Sequence, residues 1–368
     1  MKKEIREQIE LVLSELGFSG IDFAIDFPTD KNTDADYFSN VAMVAAKQAG
    51  EAPRQFAEKI VTALEGRISQ IEKIEIAGPG FINFYLQREF FREKILNVLD
   101  AKENWGKNNS WSNKLVIVEY TDPNPFKELH IGHLVPNALG ESLARLFMMA
   151  GANTKRVTFQ GDVGMHVAKA LYGARQIDVQ SESITSEQLG KAYAAGSRAF
   201  ESSEEVAAEI KGLNKVIYNR SDEKLNTLYD AGKKVSLDYF EEIYAVLGSD
   251  FDHNFFESVT GPVGLELVQK NIGEVFKESR GAVIFEGEKY GLHTRVFVNN
   301  EGLPTYETKD VGLIQCKENW SQETVGKSFD HAITVTGTEQ LEYFKVTTKA
   351  SELIQPDLAG KVELVANG

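Results

Sequence analysis

Residues 114–151 constrain this chain more than any other stretch. Leu115 to Val118 is a short, continuous apolar run, the pattern of a strand buried on both faces. Thr121-Asp122-Pro123-Asn124-Pro125 is dense in turn formers and cannot continue that strand. His130-Ile131-Gly132-His133 then leads into a helix. Leu139, Leu143, Leu146, Phe147 and Ala150 recur at spacings of three and four, which predicts one apolar stripe. Strand, tight turn and helix N-terminus is the arrangement by which an open parallel sheet binds nucleotides. The predicted fold class is therefore α/β, a Rossmann-type parallel sheet.

The flanking sequence fits around that unit. Residues 1–100 read as a small α+β N-terminal domain. An amphipathic helix ends at Gly17, and Ile21, Phe23, Ile25 and Phe27 alternate as in a half-buried strand. A polar loop over 28–36 follows. Helices are predicted over Val41–Ala49 and Pro53–Leu64, with Pro53 at the first helical position. Strands follow at Ile74–Ile76 and Phe81–Leu86, then a helix over about 88–99. Residues 101–113, polar with two tryptophans, read as a linker. The second domain spans 114–368. Thr154–Phe159 is strand-like and Gly161-Asp162-Val163-Gly164-Met165-His166 is the next loop. Residues 167–280 are mostly helical and charged, far too long for one crossover, which predicts a helical insertion. Strand signals return at Ala282–Glu286, Arg295–Val298 and His331–Thr336. Tyr306 opens a helix carrying Asp310, and Gly337 to Gln340 open another.

Composition narrows the function classes. The chain has 368 residues, 42% hydrophobic and 26% charged, enough for two or three domains. No apolar run approaches the ~18–20 residues that span a bilayer, and the N-terminal helix lacks the apolar core of a signal peptide. One cysteine, Cys316, permits no internal disulfide and suits a reducing cytoplasm. A net charge of −15 argues against a general DNA or RNA coat and leaves room for a local basic face.

His130 and His133 lie three apart at a helix start, so they share a face. The amides and dipole there favour an anion, and two imidazoles beside it can donate to phosphate oxygens and stabilise charge growing on a phosphate under attack. Gly132 removes a side chain where a nucleotide must approach closely. The competing reading is a metal pair with Asp162 or His166 as third ligand; the spacing of three, rather than the four of a helical zinc pair, disfavours it.

His-Ile-Gly-His after a strand resembles the signature of class I aminoacyl-tRNA synthetases. The wider segment Val118–His133 resembles the arginyl-tRNA synthetases. So do Asp36–Met43 and Ala77–Phe84, which are similar to that family's N-terminal add-on domain, and Gly161–His166, Asn300–Asp310 and Thr334–Phe344. The likeness covers nearly the whole chain and is loose in the helical insertion. It implies a two-step arginine–tRNA ligase: arginine and ATP form arginyl-adenylate, with Mg2+ expected, and arginine passes to tRNA(Arg). It also implies roles. Glu119 and Asn124 would hold the amino acid's polar ends, and Tyr306, Asp310 and Gln340 would surround the guanidinium. His130, Gly132, His133 and Gly337 would bind ATP, and Phe81 and Asn83 would contact the tRNA elbow. The chemistry fits independently: a carboxylate grips a guanidinium bidentately, an aromatic packs on its plane, and an aromatic beside an amide suits an unstacked base.

Two departures stand out. The family's lysine-rich KMSKS loop should follow the last strand, and the chain stops at Gly368. The helical anticodon-binding domain is missing as well, so the expectation is a truncated chain. Loss of the loop is expected to slow activation by on the order of 10³-fold or more. Lys127, just before the His-Ile-Gly-His motif, is the expected stand-in. The rival classes are a small nucleotidylyltransferase, which also carries H-x-G-H, and a non-catalytic tRNA- or nucleotide-binding paralogue.

Overall fold

The computed structural model describes residues 1–29 and 33–367. The polar loop expected over 28–36 lies partly outside the described residues. Two compact units are present, Met1–Trp105 and Gly106–Gly368.

In the first unit, α1 (Lys2–Glu15) buries Ile5, Ile9, Val12 and Leu13 on one face. The strand expected from the alternation at 21–27 shrinks to β1 (Ile25–Asp26). The reason is local. Phe23 O accepts from the Arg6 guanidinium and Ala24 N donates to Asn40 Oδ1, so side chains replace a sheet ladder there. A strand not expected from the sequence, β2 (Tyr37–Ser39), comes next. Helices α2 (Val41–Ala49) and α3 (Pro53–Leu64) have their expected bounds, with Pro53 opening α3. Strands β3 (Ile71–Ala77) and β4 (Phe81–Leu86) complete an antiparallel sheet of order β1-β2-β4-β3. Ile82, Phe84 and Leu86 point into the core with Phe56 and Ile60 of α3. Phe81 and Asn83, at alternate positions, belong to the other face. Helix α4 (Arg88–Ala101) follows.

The second unit is built on β5 (Leu115–Glu119), every residue of which is buried. Residues 108–113 are not a free linker. Asn108 N and Trp111 N donate to the carbonyls of Met149 and Ala150, and the Trp111 ring packs on Phe147. Helix α5 (Leu134–Met149) returns along the sheet to β6 (Asn153–Gln160). Its buried face is Asn137, Gly140, Glu141 and Ala144, and Leu146 is 65% exposed. The expected leucine stripe is thus rotated: Leu139, Leu143 and Phe147 only flank the contact. The smaller residues let the helix sit close over Tyr120, whose hydroxyl donates to Glu141.

Helices α6 (Met165–Gln176), α7 (Ser186–Ser202), α8 (Glu204–Asn219) and α9 (Glu223–Leu247) form a packed helical segment with its own core. It closes earlier than the expected 280, because β7 (His253–Phe256) is a strand of the parallel sheet. After α10 (Glu257–Lys270), β8 (Lys277–Ser279), β9 (Ala282–Phe285) and β10 (Arg295–Val298) form a separate antiparallel sheet of order β10-β9-β8. Helix α11 (Tyr306–Val325), β11 (His331–Gly337), α12 (Leu341–Ile354) and β12 (Val362–Asn367) end the described chain. The last strand was not expected. Among the described residues the main sheet has five strands, all parallel, in the order β12-β11-β5-β6-β7. Chain direction across the sheet reverses between β5 and β11, and a doubly wound sheet opens its ligand crevice at that point.

Candidate active site

The turn after β5 is held in an unusual backbone conformation. Thr121 (φ +77°), Asp122 (φ +41°) and Phe126 (φ +68°) are all left-handed, which is rare for a β-branched or bulky residue and persists only where neighbours enforce it. Three elements do so here. From α5, Asn137 Nδ2 donates to Thr121 Oγ1 (2.9 Å) while its Oδ1 accepts from Ser249 Oγ (2.8 Å). From the end of β6, Phe159 N donates to Asp122 Oδ1 (2.7 Å) and Gly161 N donates to Asn124 Oδ1 (3.1 Å). From α9, Ser236 Oγ accepts from Phe126 N (2.9 Å), and the buried Phe126 ring packs on Tyr229 at 5.7 Å.

The Gly161–His166 motif is a buttress for this turn. A Cβ on Gly161 would overlap Asn124 Oδ1, so only glycine admits the amide. Asp162 is fully buried and accepts from Tyr229 Oη, Lys233 Nζ, Ser258 N and Ser258 Oγ at 2.6–3.0 Å. His166 Nε2 lies 2.6 Å from Gly161 O, and burial pushes its imidazole down to about 4, so it is neutral and donates there. Both residues are committed to loop structure. The third metal ligand considered for the histidine pair is accordingly engaged elsewhere.

Glu119, Asn124, Tyr306, Asp310 and Gln340, the five residues expected around an amino acid, line one cavity of about 560 Å³. It opens at the C-terminal ends of β5 and β11, the switch point of the sheet. Glu119 is buried and pairs with the buried Lys317 (2.6 Å). Asp310 accepts from Tyr343 Oη (2.6 Å). Burial lifts its carboxyl to about 7; the Glu119 and Glu257 carboxylates add to the rise, and the Tyr343 bond and Lys317 oppose it. Five carboxylates line the cavity (Glu119, Asp122, Glu257, Glu307, Asp310) against two cationic side chains, Arg295 and Lys317. Such a surplus favours a cationic ligand.

The histidine pair is not in that cavity's lining; it sits at the turn Ile131–His133 that opens α5, with His130 exposed and His133 partly buried. Gly132 N donates to His130 Nδ1 (3.1 Å), which leaves the His130 ring proton on Nε2. His130 N approaches His133 Nδ1 at 3.1 Å, and the two rings lie 4.1 Å apart. Burial, and then His130, holds the His133 imidazole below its usual range. Gly132 serves this arrangement directly, because a Cβ there would meet the His130 ring at 2.9 Å. Lys127 Nζ lies over the Tyr193 ring of α7 at 4.8 Å. Gly337 ends β11 beside Asn367.

In the first unit, Phe81 is half-buried with its ring 5.7 Å from that of Phe38, and Asn83 is 8% exposed opposite Phe38 and Glu75. Phe81 therefore belongs to the face away from the core, whereas Asn83 offers little surface.

Sequence reasoning missed Asp122, Lys317, Glu257, Arg295 and Tyr343 in the cavity wall. Lys317 carried a signal: Tyr306, Asp310 and Lys317 fall on one helical face at spacings of four and seven. Glu257 and Arg295 carried none, because α10 and β10 meet the site only through the fold.

Comparison with known proteins gives two family matches. The arginyl tRNA synthetase N terminal domain family matches residues 2–86, and the class I (R) tRNA synthetase catalytic domain family matches residues 94–357. Arginine–tRNA ligase 1 of Halalkalibacterium halodurans is 29% identical over 352 residues, which is 93% of this chain and 61% of the relative. The arginine–tRNA ligase of Clostridioides difficile is 29% identical over 368 residues, 96% and 61% respectively. The solved arginyl-tRNA synthetases of Thermus thermophilus (TM-score 0.65, 20% identity) and Plasmodium falciparum (TM-score 0.64, 19%) share the fold over 100% of this chain and 65% of theirs. The chain thus spans about three fifths of the length of these relatives. With the catalytic-domain match covering residues 94–357, it belongs to the class I arginyl-tRNA synthetase family.

Proposed function

We propose that this chain carries out arginine–tRNA ligase chemistry in the cytoplasm, activating arginine with ATP and passing it to tRNA(Arg). The observation that carries the reading is the acidic cavity at the β5/β11 switch point, which gathers Glu119, Asn124, Tyr306, Asp310 and Gln340. Asp310 takes the guanidinium through paired donors, and Tyr306 and Gln340 close around it. Glu119 and Asn124 hold the other polar contacts. The arginine carboxylate then points toward the start of α5. Its oxygen attacks the α-phosphorus of ATP, the bond to the β-phosphate oxygen breaks, and pyrophosphate leaves. His130 Nε2–H and the His133 imidazole donate to phosphate oxygens, with the α5 N-terminus adding its dipole. In the second step a hydroxyl of the terminal tRNA adenosine attacks the arginyl carbonyl and AMP departs.

Mg2+ accompanies ATP. Among the described residues no group of three His, Cys, Asp or Glu side chains is arranged to hold a metal, and an ion arriving with ATP would keep oxygen ligands. It would supply charge neutralisation on the triphosphate. On the first unit, Phe81 and Asn83 are proposed to meet the tRNA elbow, Phe81 carrying most of the contact.

The test is arginine-dependent exchange of pyrophosphate into ATP, with and without tRNA(Arg), alongside calorimetric titration with arginine. Saturable arginine binding with exchange supports the ligase. Binding without exchange under either condition would leave a binding paralogue, and ATP turnover indifferent to arginine would leave a nucleotidylyltransferase.

A further inference from the structure

We propose that Tyr218, on helix α8 of the helical insertion, is a positioning residue for the acidic cavity and acts on it through Lys309. The inference rests on the arginine reading above and adds a residue from outside the cavity wall. Lys309 is 5% exposed and is not in the cavity lining, but it touches two side chains that are, Glu257 and Tyr306. Its ammonium donates to Glu257 Oε2 at 2.5 Å and stands 5.0 Å from the centre of the Tyr306 ring, a cation–π contact. An ammonium has three protons to place. Tyr218 supplies a further partner: its hydroxyl oxygen accepts from Lys309, and its ring centre lies 6.0 Å from Nζ.

The backbones on either side of this contact are rigid. A Cβ on Gly264 would overlap Thr308 O and one on Gly312 would overlap Thr260 O, so α10 and α11 meet backbone to backbone. Glu257 opens α10 and Lys309 lies in the first turn of α11. The part left free to move is the flexible four-carbon stem of Lys309. Tyr218 holds its far end from a different segment of the chain. Helix α8 is also tied to the loop before α11 by Lys215 and Glu301 (3.0 Å), so the insertion reaches the start of α11 twice.

A Lys309 ammonium that swung away would leave the Glu257 carboxylate uncompensated in the cavity wall. It would also release the Tyr306 ring, which is 66% exposed and on which the guanidinium packs. Burial alone would lower the Lys309 ammonium; Glu257 and Tyr218 outweigh it and hold the group above its ordinary range, so it stays charged. Tyr218 thereby acts on arginine binding without touching the ligand. The alternative is a tyrosine that only packs on the core of the insertion.

Calorimetric titration with arginine separates the two roles. Tyr218→Phe removes the hydroxyl and keeps the ring against the insertion core. It should weaken arginine by roughly 3- to 10-fold, a fraction of a hydrogen bond to a charged group, at an unchanged melting temperature. Tyr218→Leu removes ring and hydroxyl and should weaken it by roughly 10- to 30-fold. In a Lys309→Met background either change should cost less than about twofold, because the side chain it acts through is gone. Glu257→Gln is added to Lys309→Met if the single change, which strands a buried carboxylate, fails to fold. Arginine affinity unaltered by both Tyr218 variants, or losses of the same size with and without Lys309, overturn the role of Tyr218 and leave the arginine reading standing. Absence of arginine binding to the wild-type protein overturns both together.

Discussion

Acidification should weaken arginine binding through Asp310. In the empty cavity its carboxyl sits at about 7, raised first by burial. The guanidinium needs the ionised form, so binding must remove a proton whenever pH lies below that value. The affinity is therefore complete above about pH 8 and is lost as pH falls through 7. With one group at about 7, roughly a tenth of the sites are ionised at pH 6 and a hundredth at pH 5. Affinity should fall about tenfold per unit, or about 1.36 kcal/mol per unit. At pH 6 each bound arginine should release about 0.9 proton, measurable by calorimetry in buffers of different ionisation enthalpy. The unliganded protein should respond in the opposite sense. A folded value above the unfolded 3.8 means that stability falls as pH rises from about 4 through 7, by at most roughly 4 kcal/mol. Asp310→Asn isolates the Asp310 share and should lower the slope by about one decade per unit. An affinity flat between pH 5 and 8, or the same slope in Asp310→Asn, would refute the argument.

Three further outcomes follow from particular contacts. Lys317→Met should destabilise the fold by about 3–5 kcal/mol in chemical denaturation, since it strands the buried Glu119 carboxylate, and adding Glu119→Gln should restore most of the loss. Gly161→Ala should displace the Asn124 amide and cut arginine affinity by about tenfold or more, with a nearly unchanged circular dichroism spectrum; unaltered affinity would remove Asn124 from the site. Lys127→Ala should slow arginine activation by roughly 10²-fold if this ammonium leaves Tyr193 for the phosphates, and an unchanged pyrophosphate-exchange rate would assign Lys127 to packing on α7.

Several elements were legible because their signal is local. The β5 run, the proline-bounded turn after it, and α2, α3 and β4 were readable from patterns of two or 3.6 residues and from proline placement. Short strands were not. The two residues of β1 and three of β2 carry too little alternation to distinguish them from loop, and β12 exists because β11 offers it a parallel edge. Polarity misled at α5, where a buried Asn137 and Glu141 are satisfied by Thr121, Ser249 and Tyr120 and so displace the leucines from the contact.

By itself the sequence determined the strand–turn–helix unit, the family resemblance, and five of the residues that line the acidic cavity. These depend on side-chain order along single elements or on a motif read whole. Only the tertiary structure decided the charge balance of the site. Arg295, Lys309 and Lys317 come from β10 and α11, and which carboxylates they neutralise depends on distances of a few ångströms set by the fold. Coulomb energy falls with separation and desolvation grows with burial. For that reason Asp122, unremarkable as a turn residue, is one of two cavity carboxylates with no ion pair among the described residues.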